Sequence, residues 1–418
     1  MSRFWDYLIR NRPEKISWHI RQKLPHGIKG TYLANGPCGR HPFDGDGKIL
    51  KIKIDSDAQL ISIENRKVNC SHANKHGLHV FMNGGNATLG IHNPGNTSIA
   101  YNNDHILAIW EQGAAYKINT DTLETLGQTN HVMAAHSRTF DGIEYRHASQ
   151  LTPFGTLITI YRDHYHVCKR FMLWGQFNPF IHDMEICDRF YIFNVGPLRW
   201  DLRKIPDIIA GRCGLAEGLV YEPAKGGKML LVGRDDDAFI EFDTGAGFVF
   251  HHIGCNDDGR VVYVDSIVWE DVPWACGTNE WIKACMPRWV RFSCDTFYGK
   301  CTLHVVSEAV EFPVKNSDGL IAILEANNYL TSLQQIVCYT FDVQKYRYVE
   351  VCRWDTGPNT ICTEPFFVNS DKIGCIVHDV ALNHPELMIF DVSKSEGPIM
   401  KITLPPINVH IHGIWIQE

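Results

Sequence analysis

The sequence predicts an all-β fold built as one closed β architecture, and three observations lead to this prediction. From residue 30 onward, short runs of β-branched and aromatic residues follow one another with almost no helical interruption. Gly, Asp and Asn turns separate roughly twenty such runs, which at about four strands per blade is typical of a β-propeller with six or seven blades. No linker-like or low-complexity stretch divides residues 30–418, so a single domain is expected.

Residues 4–24 are the exception to the β pattern. Apolar and aromatic side chains alternate there with Arg and Lys at helical spacing, and Pro13 divides the segment, so the pattern predicts two short helices. We therefore separate residues 1–29, an N-terminal amphipathic helical segment, from the propeller domain. Two interpretations stay open: the segment docks on the protein body through its apolar stripe, or it makes peripheral contact with an anionic membrane surface.

The predicted strands begin with a hairpin. Residues 48–54 and 59–65 alternate aliphatic with polar residues on either side of a turn at residues 55–57. No clean repeat of about 40–50 residues accompanies the strands, so the number of blades does not follow from periodicity. Further strands are predicted at residues 105–110, 155–161, 179–193, 228–232, 238–242, 247–251, 260–265, 372–377 and 387–390.

Composition narrows the class of protein and its partners. A net charge of −7 at pH 7 argues against a nucleic-acid partner, which would require a basic face. The sequence shows no signal-peptide core and no run of about 20 apolar residues, so a cytoplasmic location without a membrane span is expected. The 14 cysteines form no C-x-x-C pair or regular framework, which favours free, mostly buried thiols over disulfides.

Four of the 21 histidines stand beside apolar runs. Taken singly, such an imidazole is more often a hydrogen-bonded core residue than a metal ligand. The four are far apart in sequence, so only a closed β architecture could bring them together, and spacing alone does not establish a metal site. They are His136 after Val-Met-Ala-Ala, His182 after Pro-Phe-Ile, His251 after Phe-Val-Phe, and His412 before Gly-Ile-Trp.

Longer motifs resemble those of the carotenoid cleavage oxygenase family. They include Gly-Thr-Tyr-Leu-Ala-Asn-Gly-Pro at 30–37, Phe-Asp-Gly-Asp-Gly at 43–47, Asn-Pro-Gly-Asn-Thr at 93–97 and Ala-Ile-Trp-Glu-Gln-Gly at 108–113. The resemblance continues to Trp415. It implies a seven-bladed β-propeller in which short helices and loops form a cap over an iron centre, with residues 30–418 as a single catalytic domain.

The resemblance also implies which residues build that iron centre. The four histidines fall in the family's iron-binding motifs, and within Phe-His-His-Ile at 250–253 the family pattern assigns the ligand to His251 rather than His252. Three glutamates match positions at which a carboxylate accepts the second ring N–H of a ligand. The implied ligands of one Fe(II) per chain, which are also the catalytic residues, are His136, His182, His251 and His412. The implied pairs of a glutamate with the ligand that it orients are Glu111 with His182, Glu311 with His251, and Glu364 with His412.

The chain departs from the family pattern at three places near these residues. Ser137 stands where the family usually has Pro, and Gly-Cys-Asn-Asp at 254–257 replaces Asn-Ala-Tyr-Glu. The segment after Glu311 is also short. These changes leave the seven implied residues intact but alter the expected cavity walls, so a familiar substrate does not follow from the resemblance.

The activity that the resemblance implies is Fe(II)-dependent cleavage of a carotenoid or apocarotenoid. O2 adds across one C=C bond, which splits into two carbonyl products. Four neutral imidazoles leave the 2+ charge on the metal and two octahedral positions open, which suits Fe(II) better than a closed structural zinc site. Trp110 precedes Glu111, as in members that act on apolar polyenes, whereas stilbene-cleaving members tend to have Lys there. Trp110 is therefore the candidate substrate-binding residue.

The expected partners are thus an apolar polyene and O2, and the protein is expected to act as a monomer. Three alternatives stay open. The same iron site would serve stilbene-type alkene cleavage, or it would serve a redox-neutral retinoid isomerohydrolase. The third alternative is a non-catalytic propeller that binds a ligand.

Overall fold

The structure is a computed structural model that describes residues 12–13, 15–38, 45–70, 93–102, 104–111, 113–163, 166–176, 179–209, 218–270, 287–326 and 333–418. Across these ranges the chain forms seven antiparallel sheets of four or five strands and one two-stranded ribbon. The seven sheets are the blades of a β-propeller. The predicted all-β propeller is therefore confirmed, with the blade number that the resemblance implied.

Blade 1 joins the two ends of the chain. Its last strand pairs with a strand near the N-terminus, so that Tyr32 lies opposite Trp415. Such pairing closes the ring of blades with backbone hydrogen bonds. The strands are numbered β1 to β32 in chain order, and blade 1 contains, from its outer edge inward, β1 (Lys15–Arg21), β4 (Leu60–Lys67), β3 (Asp46–Asp55), β2 (Lys29–Cys38) and β32 (His412–Gln417).

Blades 2 to 4 are built from strands that follow one another in sequence. Blade 2 contains β5 (Ser98–Tyr101), β6 (His105–Ile109), β7 (Gly113–Asn119) and β8 (Thr125–Met133). Blade 3 contains β9 (Ser137–Phe140), β10 (Ile143–Thr152), β11 (Gly155–Arg162) and β12 (His166–Trp174). Blade 4 contains β13 (Met184–Ile186), β14 (Phe190–Val195), β17 (Gly227–Gly233) and β18 (Phe239–Gly245).

Blades 5 to 7 follow the same plan. Blade 5 contains β19 (Phe248–Asp257), β20 (Val261–Trp269), β21 (Arg288–Asp295) and β22 (Lys300–Glu308). Blade 6 contains β23 (Val310–Lys315), β24 (Ile321–Ala326), β25 (Leu333–Asp342) and β26 (Arg347–Asp355). Blade 7 contains β27 (Thr360–Cys362), β28 (Phe366–Phe367), β29 (Lys372–Asp379), β30 (His384–Asp391) and β31 (Met400–Thr403).

The predicted hairpin of blade 1 shows why these residues form strands. In β3, Ile52 and Ile54 are buried while Lys53 between them is exposed, which is the alternation of a pleated strand with one face on the core. β3 pairs with β4, and Ile54 lies opposite Ile61. Aliphatic side chains of this kind fill the gaps between neighbouring blades and hold the sheets together.

The helical expectation for the N-terminal segment is wrong where the structure describes it. Residues 15–21 form β1, which pairs antiparallel with β4 along its whole length. Ile16 and Ile20 pack against the core of blade 1. A spacing of four residues places side chains on one face of a strand as well as of a helix, and the free edge of β4 selects the strand. Residues 1–11 lie outside the described ranges, and the division at residue 29 stays a prediction.

An insertion between β14 and β17 lies beside the start of β13. It contains the ribbon β15 (Leu198–Trp200) with β16 (Leu219–Tyr221), the helix α1 (Ile205–Ile209), and short 3-10 turns at Leu202–Lys204 and Pro223–Lys225. The backbone N–H of Phe180 donates to the carbonyl of Leu198 at 3.0 Å, which ties the ribbon to the chain entering β13. Among the described helices, none has both the length and the apolar character needed to cross a membrane.

The innermost strands of neighbouring blades approach one another around the propeller axis. β32 contacts β5, β9 contacts β13, and β13 contacts β19, which in turn contacts β23. Residues at corresponding ends of these strands are therefore brought close together although they are distant in sequence.

Candidate metal centre

Each of the seven blades contributes one of the seven residues that the family resemblance singled out. The residues lie at or near the same end of the inner strands, so the closure of the propeller brings them to one place on the axis. By blade from 1 to 7 they are His412 at the start of β32, Glu111 after β6, His136 before β9, His182 before β13, His251 in β19, Glu311 in β23, and Glu364 between β27 and β28.

The four histidines converge into one cluster. One ring nitrogen from each lies within 4.8 Å of the corresponding nitrogen of every other. Nε2 of His136 is 2.9 Å from Nε2 of His182, and the most distant ring centroids, those of His182 and His412, are 6.5 Å apart. His182, His251 and His412 are buried, while His136 is partly exposed. This geometry could hold one metal ion.

Each implied glutamate contacts its implied histidine at Nδ1. Nδ1 of His251 lies 2.7 Å from Glu311 Oε2, and Nδ1 of His412 lies 2.9 Å from Glu364 Oε1. The third distance, from His182 Nδ1 to a Glu111 carboxylate oxygen, is 2.8 Å, although there the N–H direction is not aligned with the oxygen. A carboxylate at Nδ1 keeps the proton on that nitrogen, so the Nε2 lone pair is free to face a metal ion.

Local irregularities of the strands aim two of these side chains. The pairing of β19 with β20 shifts register on either side of His252, and that of β23 with β24 shifts between Glu311 and Val314. Phe312, within the second irregularity, has a positive φ of 55°. β-Bulges of this kind turn a side chain away from the regular alternation of a strand. They direct His251 and Glu311 towards each other.

Glu311 is held from three sides. Its Oε2 accepts the Nδ1–H of His251 and the backbone N–H of Phe312, and its Oε1 accepts the indole N–H of Trp269 at 2.8 Å. Burial alone would raise the pKa of Glu311, but His251 and these donors hold it below its usual range. Burial lowers the pKa of His251, and the Glu311 charge more than offsets this and raises it. The carboxylate thus stabilises positive charge on the ring, whether a proton or a metal ion supplies it.

His136 differs from the other three histidines. No carboxylate contacts its ring in the described part of the chain, and its pKa is well below the usual value because of burial and then the neighbouring imidazoles of His412, His182 and His251. The residue before it is held by Ser98, which donates its hydroxyl to the carbonyl of Ala135. A neutral imidazole is suited to metal ligation.

The adjacent histidine, His252, is turned out of the cluster. Its Nδ1 is 2.8 Å from the hydroxyl of Ser266, and burial lowers its pKa to about 4. His251 and not His252 therefore contributes to the four-histidine cluster, in agreement with the family pattern.

Phenylalanine side chains form an apolar wall around the cluster, and the sequence analysis did not single them out. The ring of Phe250 is 4.9 Å from that of His182, centroid to centroid, and Phe312 is 5.8 Å from His251. Phe180 stacks near His182 at 6.2 Å. Each stands within two residues of a proposed ligand or its glutamate in the sequence, which is the only signal that could have identified them.

Trp110 lies in a buried cluster on the insertion side of this wall. It packs with Phe180, Phe248 and the ribbon residues Leu198 and Trp200. The residue is 5% exposed, so little of it is accessible in this conformation. The structure thus places Trp110 in an apolar environment next to Phe180, one residue layer from His182.

The donor set fits a divalent transition metal. Nε2 of His251 is fully buried and has no hydrogen-bond partner in the described ranges. Leaving a buried imidazole nitrogen unpaired is unfavourable, and a metal ion at this position would satisfy it. Four neutral imidazoles suit iron, copper, nickel or zinc, so the geometry indicates a metal site without selecting the metal.

Comparison with known proteins assigns the chain to a family. The family model described as RPE65, retinal pigment epithelial membrane protein, matches residues 11–417. The chain belongs to this carotenoid cleavage oxygenase family. Its similarity to a curated relative, apocarotenoid-15,15'-oxygenase of Synechocystis, is 24% identity over 99% of this chain and 94% of the relative.

Solved structures with the same fold include members of the carotenoid cleavage oxygenase family. A variant of Synechocystis apocarotenoid oxygenase aligns with a TM-score of 0.82 and 21% identity over 100% of this chain and 99% of that one. A chimera of that enzyme with RPE65 also has a TM-score of 0.82, with 21% identity over 99% and 98% of the two chains. The cobalt-substituted Synechocystis enzyme gives 0.81, with 21% identity over 99% and 98%. At these identities the structural likeness establishes the fold alone.

Proposed function

We propose that this protein is an Fe(II)-dependent dioxygenase that cleaves one C=C bond of a carotenoid or apocarotenoid with O2 to give two carbonyl products. The observation that carries the proposal is the four-histidine cluster in which three rings contact a carboxylate at Nδ1. Bound Fe(II) would supply the redox chemistry with O2. Both oxygen atoms enter the products, so the reaction balances without an external reductant.

The residues around the cluster have separate tasks in this proposal. Glu111, Glu311 and Glu364 hold the rings of His182, His251 and His412 in one tautomer and orientation, which keeps the Nε2 lone pairs of these three rings directed at the metal. The four uncharged ligands leave the metal its full positive charge. Phe180, Phe250 and Phe312 exclude water from the reacting alkene, which prevents side reactions of the intermediates with water.

The apolar wall supports a polyene as the substrate. Trp110 lies in an apolar cluster. A lysine at this position, which stilbene-cleaving members tend to have, would be buried there without polar neighbours. This favours a hydrocarbon chain over a stilbene phenol. The curated relative is named apocarotenoid-15,15'-oxygenase, and an apocarotenoid is an apolar polyene, which agrees with this choice.

Isotope labelling tests the reaction type. Purified protein loaded with Fe(II) is incubated under ¹⁸O2 with a panel of apocarotenals and retinoid esters. We expect aldehyde products that carry the label at the newly formed carbonyl groups. Isomerised alcohol without label would instead identify the redox-neutral isomerohydrolase, and metal binding without turnover of any panel member would identify a non-catalytic propeller.

Paired histidine variants test the site. His182→Ala and His251→Ala are expected to lose iron, whereas His252→Ala, a change at an adjacent buried histidine outside the cluster, keeps it. Equal iron content in the His251 and His252 variants would refute the ligand assignment. A wild-type protein that binds zinc but not iron would refute the choice of metal.

The proposal also makes the protein active as a monomer. All seven residues of the centre come from one chain, so no second copy is needed to complete it. Activity that falls on dilution, together with a dimer in sedimentation experiments, would contradict this.

A further inference from the structure

Behind the four-histidine cluster, one arginine connects three neighbouring blades. Arg138 lies in β9, two residues after His136. Its Nε donates to the carbonyl of Met184 at 2.8 Å, and its Nη2 donates both to the carbonyl of His252 at 2.7 Å and to the carboxylate of Asp183. The guanidinium of blade 3 therefore bonds to backbone groups of blade 4 and blade 5.

Asp183 completes this set of contacts. Its side chain is fully buried and follows His182 directly. One carboxylate oxygen accepts the backbone N–H of His252 at 2.9 Å, and the other accepts the N–H of Met184 at 2.8 Å. Asp183 is thus a carboxylate that joins blade 4 to blade 5.

The contacts of Arg138 and Asp183 connect strands that no backbone pairing connects in the described ranges. β9, β13 and β19 are the inner edges of three separate sheets, and the strand pairing of the described chain runs within each sheet. The distances between these strands are therefore set by side chains. The bonds of Arg138 and Asp183 lie within two residues of His136, His182 and His251, so they bear directly on the spacing of three proposed ligands.

We infer that Arg138 and Asp183 are positioning residues of the metal centre: together they fix the spacing of the strands that carry His136, His182 and His251. The inference rests on the proposed metal site. Neither side chain belongs to the four-histidine cluster. Their effect is to reduce the movement of three ligands against one another, so that the metal is bound in one geometry and released slowly.

A second arginine–aspartate pair, at the contact between blade 5 and blade 6, provides a matched control. Arg291 donates Nη2 to Asp265 at 2.8 Å, and Asp265 also accepts the hydroxyl of Tyr348 from blade 6 at 2.9 Å. Arg291 and Asp265 both lie in blade 5, and they contact blade 6 through Tyr348, whose ring centroid is 4.8 Å from the Arg291 guanidinium. In the described ranges, none of the hydrogen bonds of Arg291 and Asp265 involves the four-histidine cluster. Breaking this pair should weaken the fold without changing the spacing of the ligands.

The experiment compares Arg138→Met, Arg138→Lys and Arg291→Met with the full-length wild type. Each is loaded with Co(II), and the dissociation constant and the release rate are measured by competition with a chelator, while urea unfolding of the metal-free protein reports stability. We expect Arg138→Met to bind Co(II) about ten- to hundred-fold more weakly, with a broadened visible absorption spectrum. Arg291→Met should keep wild-type affinity and spectrum even if its stability falls equally. Arg138→Lys, which retains the charge but not the forked donors, should give an intermediate affinity.

The possible results separate this inference from the proposed function. If the wild type binds no divalent metal, the proposed metal site fails and the inference fails with it. If the wild type binds Co(II) and the Arg138→Met and Arg291→Met proteins have equal affinities, the inference alone is overturned. If Arg138→Met does not fold, Asp183→Asn decides: weaker binding than in Arg291→Met supports the inference, and unchanged binding overturns it.

Discussion

Replacing Glu311 by glutamine changes the most fully bonded carboxylate of the proposed metal centre without changing its size. The wild-type carboxylate accepts hydrogen bonds from His251 and Phe312 on one oxygen and from Trp269 on the other. An amide has only one oxygen. If that oxygen faces His251, the NH2 group faces the indole N–H of Trp269, so one buried donor loses its partner. In the opposite orientation two donors lose theirs.

Two effects of different size follow from this geometry. The lost charge and the weaker acceptor at His251 Nδ1 should reduce metal affinity by about 10- to 100-fold, or roughly 1.4–2.7 kcal/mol. The unpaired Trp269 N–H should cost about 1–3 kcal/mol of unfolding free energy in the metal-free protein. Because the two effects have different causes, metal affinity and the unfolding free energy of the metal-free protein are measured separately.

The assay uses Glu325→Gln as the control. Glu325 is also buried, and it accepts hydrogen bonds from Tyr339 and Arg353 away from the cluster. Both variants are unfolded with urea without metal, and Fe(II) affinity is measured anaerobically by chelator competition. We expect both to lose stability and only Glu311→Gln to lose affinity. Wild-type affinity in Glu311→Gln, or the same loss in Glu325→Gln, would refute the assigned role of the carboxylate.

Three further predictions concern the metal, the fold and the apolar wall. Removal of the metal with a chelator should abolish alkene cleavage, and Fe(II) should restore it whereas Zn(II), which has no redox chemistry, should not; restoration by Zn(II) would contradict a dioxygenase. Burial and then the charge of Arg12 lower the pKa of His378 to about 3, whereas an unfolded histidine titrates near pH ~6.5. Between these values the unfolded chain binds the extra proton, so stability should fall as the pH is lowered, with about 1.4 kcal/mol per pH unit from this residue. Urea unfolding between pH 6.5 and 5 should therefore show a shallower pH dependence for His378→Gln and an unchanged one for His304→Gln, an exposed control; equal slopes would contradict the assignment. Trp110→Phe should raise KM for an apocarotenal by up to about ten-fold with iron content unchanged, because it reduces apolar packing next to Phe180; an unchanged KM would argue against contact with the substrate.

The strands and the identity of the proposed site residues were accessible from the sequence because their signals are local. Ile52 and Ile54 alternate with lysines, and this period of two is enough to predict a strand of a hairpin. His182 and His412 stand in short motifs that resemble those of the family. Such motifs identify residue types and order along the chain, and they carry that information without any knowledge of distances.

The local pattern led to a wrong prediction in the N-terminal segment, because a helix and a strand share that pattern. Ile16 and Ile20 are four residues apart, which suits a helix and a strand equally, and the free edge of β4 decided between them. That edge exists only once blade 1 has formed. Backbone pairing with a distant segment therefore overrode the helical preference of the segment itself.

The sequence by itself determined the fold class, the family, and the order of four histidines and three glutamates along the chain. Only the tertiary structure decided that one such residue comes from each blade, that the glutamates contact Nδ1, and that the bonds of Arg138 hold three ligand strands together. The physical reason is that these relations depend on distances between separate sheets. They arise from the closure of seven blades around one axis and from irregular strand pairing at His251 and Glu311, which no local pattern of residues encodes.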